Sequence, residues 1–166
     1  MDNVDRILAQ WAAERPDLQL LPMALIGRNK RLAQALGHGM EIVFKAHGLN
    51  SASFDVLATL RRSGAPYALT PSELIDWTMV TSGTMTNRLD RLEAQGLIER
   101  VKSATDARSV TVQLTDAGFQ LIEGCVSEHV ANQHRLTAGL NANEQAELSR
   151  LLGKLLAGVE QAQSLD

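Results

Sequence analysis

The residues best suited to do chemistry lie between Thr81 and Arg91. Thr81-Ser82-Gly83-Thr84-Met85-Thr86-Asn87 gathers small hydrogen-bonding side chains at the start of a segment whose apolar residues Met85, Leu89 and Leu92 recur at helical spacing. Thr81 is placed to cap this helix. Free backbone N–H groups at a helix start favour phosphate, and short hydroxyl and amide side chains there bond to phosphates and base edges. On a helical wheel centred on Met85, residues Gly83, Thr86, Asn87 and Asp90 point away from the apolar stripe, whereas Arg88 lies about 60° from Met85 and flanks the core face. Ser82, Thr84, Thr86, Asn87 and Arg91 are therefore candidate contacts of a DNA-reading helix. A solvated, capped helix with no ligand is the competing interpretation.

The elements around this segment must present it. Thr70-Pro71-Ser72-Glu73 is a capping box with proline at the first helical position, and it opens a short helix just upstream. Gly96 ends the Met85 helix as a left-handed residue would. Leu97–Lys102 and Val110–Leu114 then show partial period-two alternation around the polar stretch Ser103–Ser109, which predicts a β-hairpin with an exposed tip. Two short helices followed at once by a hairpin make a winged helix-turn-helix, whose second helix enters the major groove.

Further out, Leu25, Leu32, Leu36, Met40 and Val43 mark one long amphipathic helix from Met23 to His47. Ser51 is read as the cap of a helix holding Phe54, Leu57 and Ala58, and Ser63, Gly64 and Pro66 signal a loop. Thr115 caps a helix running to about Ala138, and Asn141-Ala142-Asn143-Glu144 is a second capping box before a helix with Leu148, Leu151, Leu152 and Leu155 on one face. The expected fold is mainly α (α+β): six or seven helices and a β-hairpin wing in a single domain over 1–166. Within it, 48–115 form the winged lobe, and 1–47 with 116–163 form a helical dimerisation region.

Composition narrows the function classes. The 166 residues are 45% hydrophobic and 21% charged, as in a globular chain. The net charge of −3 argues at first against nucleic acid, but residues 81–114 hold five basic and four acidic side chains, whereas 115–166 hold three and seven. A phosphate-binding surface needs only local positive charge. No stretch is apolar enough for a membrane span, and MDNVDR lacks the pattern of an export signal, so the reading is a cytoplasmic protein. Cys125, the one cysteine, reads as a buried, inert thiol. His38, His47, His129 and His134 lack partners at metal-ligand spacing, so neither a metal nor another cofactor is expected. With no nucleophile–base pair, phosphate loop or paired catalytic carboxylates, an enzyme is not expected.

Thr81 to Ile98, followed by Asp106-Ala107-Arg108-Ser109 and Leu114-Thr115, resembles the MarR family of dimeric transcription regulators over nearly the whole chain. The resemblance implies that Arg108, oriented by Asp106, reaches the minor groove from the wing tip, where negative potential concentrates. A surface ion pair is the alternative for these two. It also implies a homodimer, held by the helices at both chain ends, on a pseudo-palindromic duplex. Independently, the Met23–His47 helix is longer than a winged lobe alone can cover, which calls for a partner subunit.

Trp11, Glu14-Arg15-Pro16-Asp17 and Pro22-Met23-Ala24 resemble the extra N-terminal segment of the family's urate-responsive branch. That likeness implies a site for a small anionic aromatic ligand lined by Trp11, Asp55, Arg88 and Arg100. The wheel position of Arg88, turned toward the protein body, agrees with it. Competing roles are complementing a helix N-terminus for Asp55, touching phosphate for Arg100 and packing for Trp11. The expected protein is a ligand-released repressor. Two alternatives stay open: a regulator responding to a phenolic or other aromatic carboxylate, and a winged protein-interaction module without DNA binding.

If Arg108 reads the minor groove, Arg108→Ala weakens operator binding by roughly 1–3 kcal/mol, as for other groove contacts, and leaves the melting temperature unchanged. Operator affinity that does not change at moderate salt returns Arg108 to the solvated surface.

Overall fold

The computed structural model describes residues 1–78, 85–102 and 110–164. Among these run α1 (Asn3–Glu14), α2 (Leu21–Ala46), α3 (Ser51–Arg62), β1 (Ala68–Leu69), α4 (Pro71–Trp77), α5 (Met85–Ala94), β2 (Ile98–Lys102), β3 (Val110–Leu114), α6 (Asp116–Thr137) and α7 (Ala142–Gln163). The expected mainly α architecture with a hairpin is present. Two compact units divide within α6, Met1–His129 and Val130–Asp166.

Local chemistry sets the helix starts. Both expected capping boxes form, Thr70 with Glu73 and Asn141 with Glu144, and a third joins Asp2 to Asp5 at the start of α1. In the Thr70 box the Glu73 carboxylate accepts the Thr70 N–H at 2.7 Å and its O–H at 2.8 Å, which holds the Glu73 carboxyl below the usual carboxylate range. The cap of α3 differs from expectation. Asn50, extended at φ −112° and ψ 170°, accepts the Ser53 N–H at 2.8 Å, so Ser51 is the first helical residue rather than the cap. Asparagine reaches the third helical N–H from that conformation as well as serine does.

The sheet holds one strand more than the hairpin. β2 and β3 pair antiparallel with Ile98 opposite Leu114, Arg100 opposite Val112 and Lys102 opposite Val110, and β1 joins the other edge of β3 with Leu69 opposite Val112. Around this sheet Val56, Leu57, Leu60, Leu74, Leu92, Ile98, Val112 and Ile122 are fully or almost fully buried. Side chains of this kind each contribute about 1.5–3 kcal/mol on burial. Cys125 belongs to the same core, and desolvation pushes its thiol pKa up, in keeping with an inert role.

Polar and cation–π contacts tie the start of α6 to the rest of the first unit. Thr115 donates its O–H to the Gly96 carbonyl at 2.7 Å and accepts the Gly118 N–H at 3.0 Å, while its own N–H bonds the Leu97 carbonyl at 3.2 Å. Thr115 thus occupies the expected cap position, and Gly96 closes α5 in the left-handed region at φ 70°. Arg61 forms another tie: its guanidinium carbon lies 5.2 Å from the Tyr67 ring centre and 4.9 Å from that of Phe119, with Nε 2.6 Å from the Glu123 carboxylate. At the other end of the unit, Arg28 of α2 pairs with Asp2 at 2.9 Å and with Asp5, fastening α1 along α2. In the second unit, α7 has no buried residue. Its Leu148, Leu151, Leu152, Leu155, Leu156 and Val159 are all solvent-facing in the single chain.

The joint at Gly118 is close enough to test. A Cβ added there would sit 1.9 Å from the Leu97 carbonyl oxygen. Glycine to alanine in a helix interior ordinarily stabilises by about 0.5–1 kcal/mol. Here Gly118→Ala is expected to destabilise by about 3 kcal/mol, because backbone must move to admit the methyl group. Urea unfolding of the two proteins gives the sign; a midpoint raised by the substitution contradicts the contact.

Candidate nucleic-acid interface and effector site

Helix α5 is oriented by what it buries. Met85, Leu89 and Leu92 are 2%, 2% and 0% exposed, and this three-residue stripe enters the core made by α3, the sheet and α6. Helical geometry then places Thr86, Asn87, Asp90 and Arg91 outside, and all four are exposed. Thr86 and Asn87 thus face outward as the helical wheel has them, and Arg91 is exposed beside them. Ser82, Thr84, Asp106 and Arg108 lie outside the described residues. No acidic side chain stands in the first turn of α5, and Arg91 stands in its last, so the helix start is free of a carboxylate that would repel phosphate.

Upstream, α4 is held by its own end. Thr78 donates its O–H to the Leu74 carbonyl at 2.7 Å, and Arg62 of α3 donates to the Trp77 carbonyl. The Arg62 bond satisfies a carbonyl that the last helical turn leaves open, and the Thr78 hydroxyl joins the Thr78 N–H, which bonds the same Leu74 carbonyl at 3.0 Å. They fix the short helix that precedes α5, with the Trp77 ring half exposed beside it.

The four expected ligand residues are carried on four elements of the first unit. Trp11 stands on α1 and is 43% exposed. Asp55 on α3 and Arg88 on α5 are both half-buried, and neither is free of polar or electrostatic neighbours. Arg88 therefore occupies the core-flanking edge of α5 that the helical wheel assigned to it. Arg100 on β2 is engaged in a way the sequence did not reveal. Its Nη2 lies 2.6 Å from Asp90 Oδ1, its Nη1 bonds Glu93 Oε2, and its backbone N–H donates to Glu93 Oε1 at 3.2 Å. Hydrogen bonds to the two carboxylates hold the guanidinium even more firmly protonated than usual. Glu93 had no role in the sequence reading, although it holds Arg100 here. The available signal was its spacing three residues after Asp90 on one helix edge, next to a strand bearing an arginine.

A further cluster lies on α2, α3 and α6. Phe44 and Phe54 stack with ring centres 4.3 Å apart, and His129 lies 5.1 Å from the first ring and 4.7 Å from the second. Burial lowers the His129 pKa, favouring a neutral ring among aromatic neighbours. His47 meets Glu128 at 3.1 Å close by. Among the described residues no group of three His, Cys, Asp or Glu could hold a metal ion, and no helix is long and apolar enough to cross a membrane.

Comparison with known proteins agrees with this geometry. Residues 47–109 match the sequence model of the MarR family. The transcriptional regulator PecS of Dickeya dadantii is 43% identical over 92% of each chain. The crystal structure of an Escherichia coli MarR variant bound to operator DNA superposes with a TM-score of 0.71 at 30% identity, covering 84% of this chain and 99% of that one. BpsR of Bordetella bronchiseptica, described as regulated in DNA binding by 6-hydroxynicotinic acid, superposes with a TM-score of 0.69 at 26% identity over 78% and 90% of the two chains. The interpretation as a winged module without DNA binding gives way to this kinship. The chain belongs to the MarR family of DNA-binding transcription regulators, and it is a regulator rather than an enzyme.

Proposed function

We propose that the protein is a cytoplasmic, homodimeric repressor that binds a pseudo-palindromic operator and releases it on binding a small anionic aromatic compound such as urate. The observation that carries the effector reading is the position of Arg88. It sits half-buried on the edge of the same helix that exposes Thr86, Asn87 and Arg91. An anion held by Arg88 therefore acts on the reading face without an intermediary. Trp11 supplies an aromatic surface, and Asp55 a carboxylate that an incoming anion repels. Arg100 belongs to the proposed site on resemblance, and a ligand reaching it competes with Asp90 and Glu93. At the other side of the reading, Ser82 and Thr84 stand with Thr86, Asn87 and Arg91 as major-groove contacts, and Arg108, oriented by Asp106, reaches the minor groove.

A second reading of the effector is an aromatic carboxylate. It is favoured by the structural likeness to BpsR, whose described regulator is a hydroxylated pyridine carboxylic acid. Both compounds place negative charge on a flat ring, which suits a guanidinium beside an indole.

Homodimerisation is supported by α7, whose six large aliphatic side chains are each 38–59% exposed in the single chain. A soluble helix rarely leaves such a stripe uncovered. A second copy of the chain covers it in the proposed assembly, and the helices of the N-terminal segment 1–47 contribute to the same interface. Sedimentation then gives a dimer at micromolar concentration, and Leu152→Glu with Leu155→Glu gives a monomer that has lost operator affinity. A parent protein that sediments as a monomer refutes the assembly.

The effector reading is tested by titrating urate, and separately 6-hydroxynicotinic acid, into a fixed concentration of operator complex. Differential affinity of 1–3 kcal/mol between states, about 5- to 150-fold, suffices for release. Arg88→Ala and Trp11→Phe are expected to retain operator binding and lose most of that response. If Arg88→Ala stays as ligand-sensitive as the parent, the effector binds elsewhere.

A further inference from the structure

Arg100 lies midway along β2, the strand that leads into the wing, and it is bound to α5 at three points. Its backbone N–H and its Nη1 both donate to Glu93, and its Nη2 donates to Asp90 at 2.6 Å. Because Glu93 accepts from both the main chain and the side chain of one residue, it fixes where along the helix the strand sits as well as how closely it approaches. A planar guanidinium can bridge two carboxylates spaced one helical turn apart, which an ammonium cannot do with the same rigidity. The arginine side chain is 29% exposed, that of Glu93 38% and that of Asp90 60%.

This arrangement is poorly explained by stability. Ion pairs this open to water contribute little to stability. It is also unfavourable for DNA affinity on charge alone, since Asp90 follows Thr86 and Asn87 on the exposed side of α5 and the group of three carries a net negative charge. What the contact does provide is geometry. It lies between the helix that exposes Thr86, Asn87 and Arg91 and the strand that carries the wing.

We propose that Arg100, gripped by Asp90 and Glu93, is a positioning residue for DNA recognition: the clamp fixes the wing against α5 so that one rigid body engages both grooves. The proposal rests on the reading that α5 and the wing are the DNA-contacting elements. It is independent of any effector. A loss of the clamp leaves both elements intact but lets the angle between them vary, and simultaneous engagement then carries an ordering cost.

Charge and geometry predict opposite signs, which makes the test sharp. Asp90→Asn with Glu93→Gln removes two negative charges near the interface, so electrostatics alone tightens binding to every duplex. The clamp predicts that affinity for an operator selected by the protein from a random-sequence library falls by roughly tenfold, the scale of one lost base contact, while affinity for a random duplex of equal length holds or rises at the same salt. Thermal unfolding of the variant is expected to shift little. Arg108→Ala, costly in the parent, should cost much less in the double variant, because a wing that is no longer held in place delivers its tip less often. Arg100→Lys, which keeps the charge but bridges one carboxylate at a time, provides a second measure should the double variant fold poorly, and is expected to lose operator affinity in the same direction. Operator affinity rising in step with random-duplex affinity, or parental operator binding in Arg100→Lys, overturns the clamp. If Arg108→Ala costs nothing even in the parent, the wing assignment fails instead, and the ratio of operator to random-duplex affinity alone judges the clamp.

Discussion

The insertion of one face of α5 into the core is the constraint on which the rest of the site depends. Met85, Leu89 and Leu92 are buried against α3, the sheet and the start of α6, and together they are worth several kcal/mol by area. That burial sets which face of the helix turns outward. Once it is fixed, Thr86, Asn87 and Arg91 must face outward and Arg88 must sit at the boundary, and Asp90 with Glu93 lies on the edge that Arg100 of β2 reaches. A helix that reads DNA needs this rigidity, because hydrogen bonds to base edges are directional and a small rotation forfeits them.

The same rigidity extends beyond the helix. Gly96 closes α5, and Thr115 binds the turn that follows it through its hydroxyl and its N–H. Gly118 allows α6 to approach the Leu97 carbonyl more closely than any other residue could. Arg61, against the Tyr67 and Phe119 rings and Glu123, attaches α3 to α6 as well. A displacement of α5 is therefore transmitted to the first turns of α6 instead of being absorbed by a loop. In the proposed response to an effector at Arg88, this continuity would carry a local change from α5 to the start of α6.

Local features were legible in the sequence, and non-local ones were not. Capping boxes at Thr70 and Asn141, the left-handed Gly96 and the boundary position of Arg88 all follow from spacing within a few residues, and the structure has each of them. The two-residue strand Ala68–Leu69 is too short to show a period, and exists only because β3 offers it an edge. Asn50 displaced Ser51 as a cap because both residues can serve, and only the backbone angle decides. The partners of Arg100 were hidden for the same kind of reason: whether a strand arginine meets a helix carboxylate depends on how the hairpin lies across α5, which no wheel contains. Asp90 was correctly placed on the outer side of the helix, but its partner came from another element.

Helix α7 poses the opposite problem, since its sequence is unambiguous and its environment is incomplete. A capping box and an i, i+3, i+4 aliphatic stripe specify a helix, yet none of its residues is buried within the chain. In proteins most helical stability comes from tertiary packing of an apolar face rather than from propensity, and the chain itself gives α7 little of that packing. In the proposed dimer a second copy supplies it. Covering the exposed part of that stripe contributes several kcal/mol, a sizeable share of the net stability of a domain. The order of the C-terminal unit and the association of two chains are then one equilibrium rather than two, and the folded state becomes dependent on protomer concentration. In the proposed dimer, covering α7 is then a condition of assembly and, through assembly, of binding a two-fold operator.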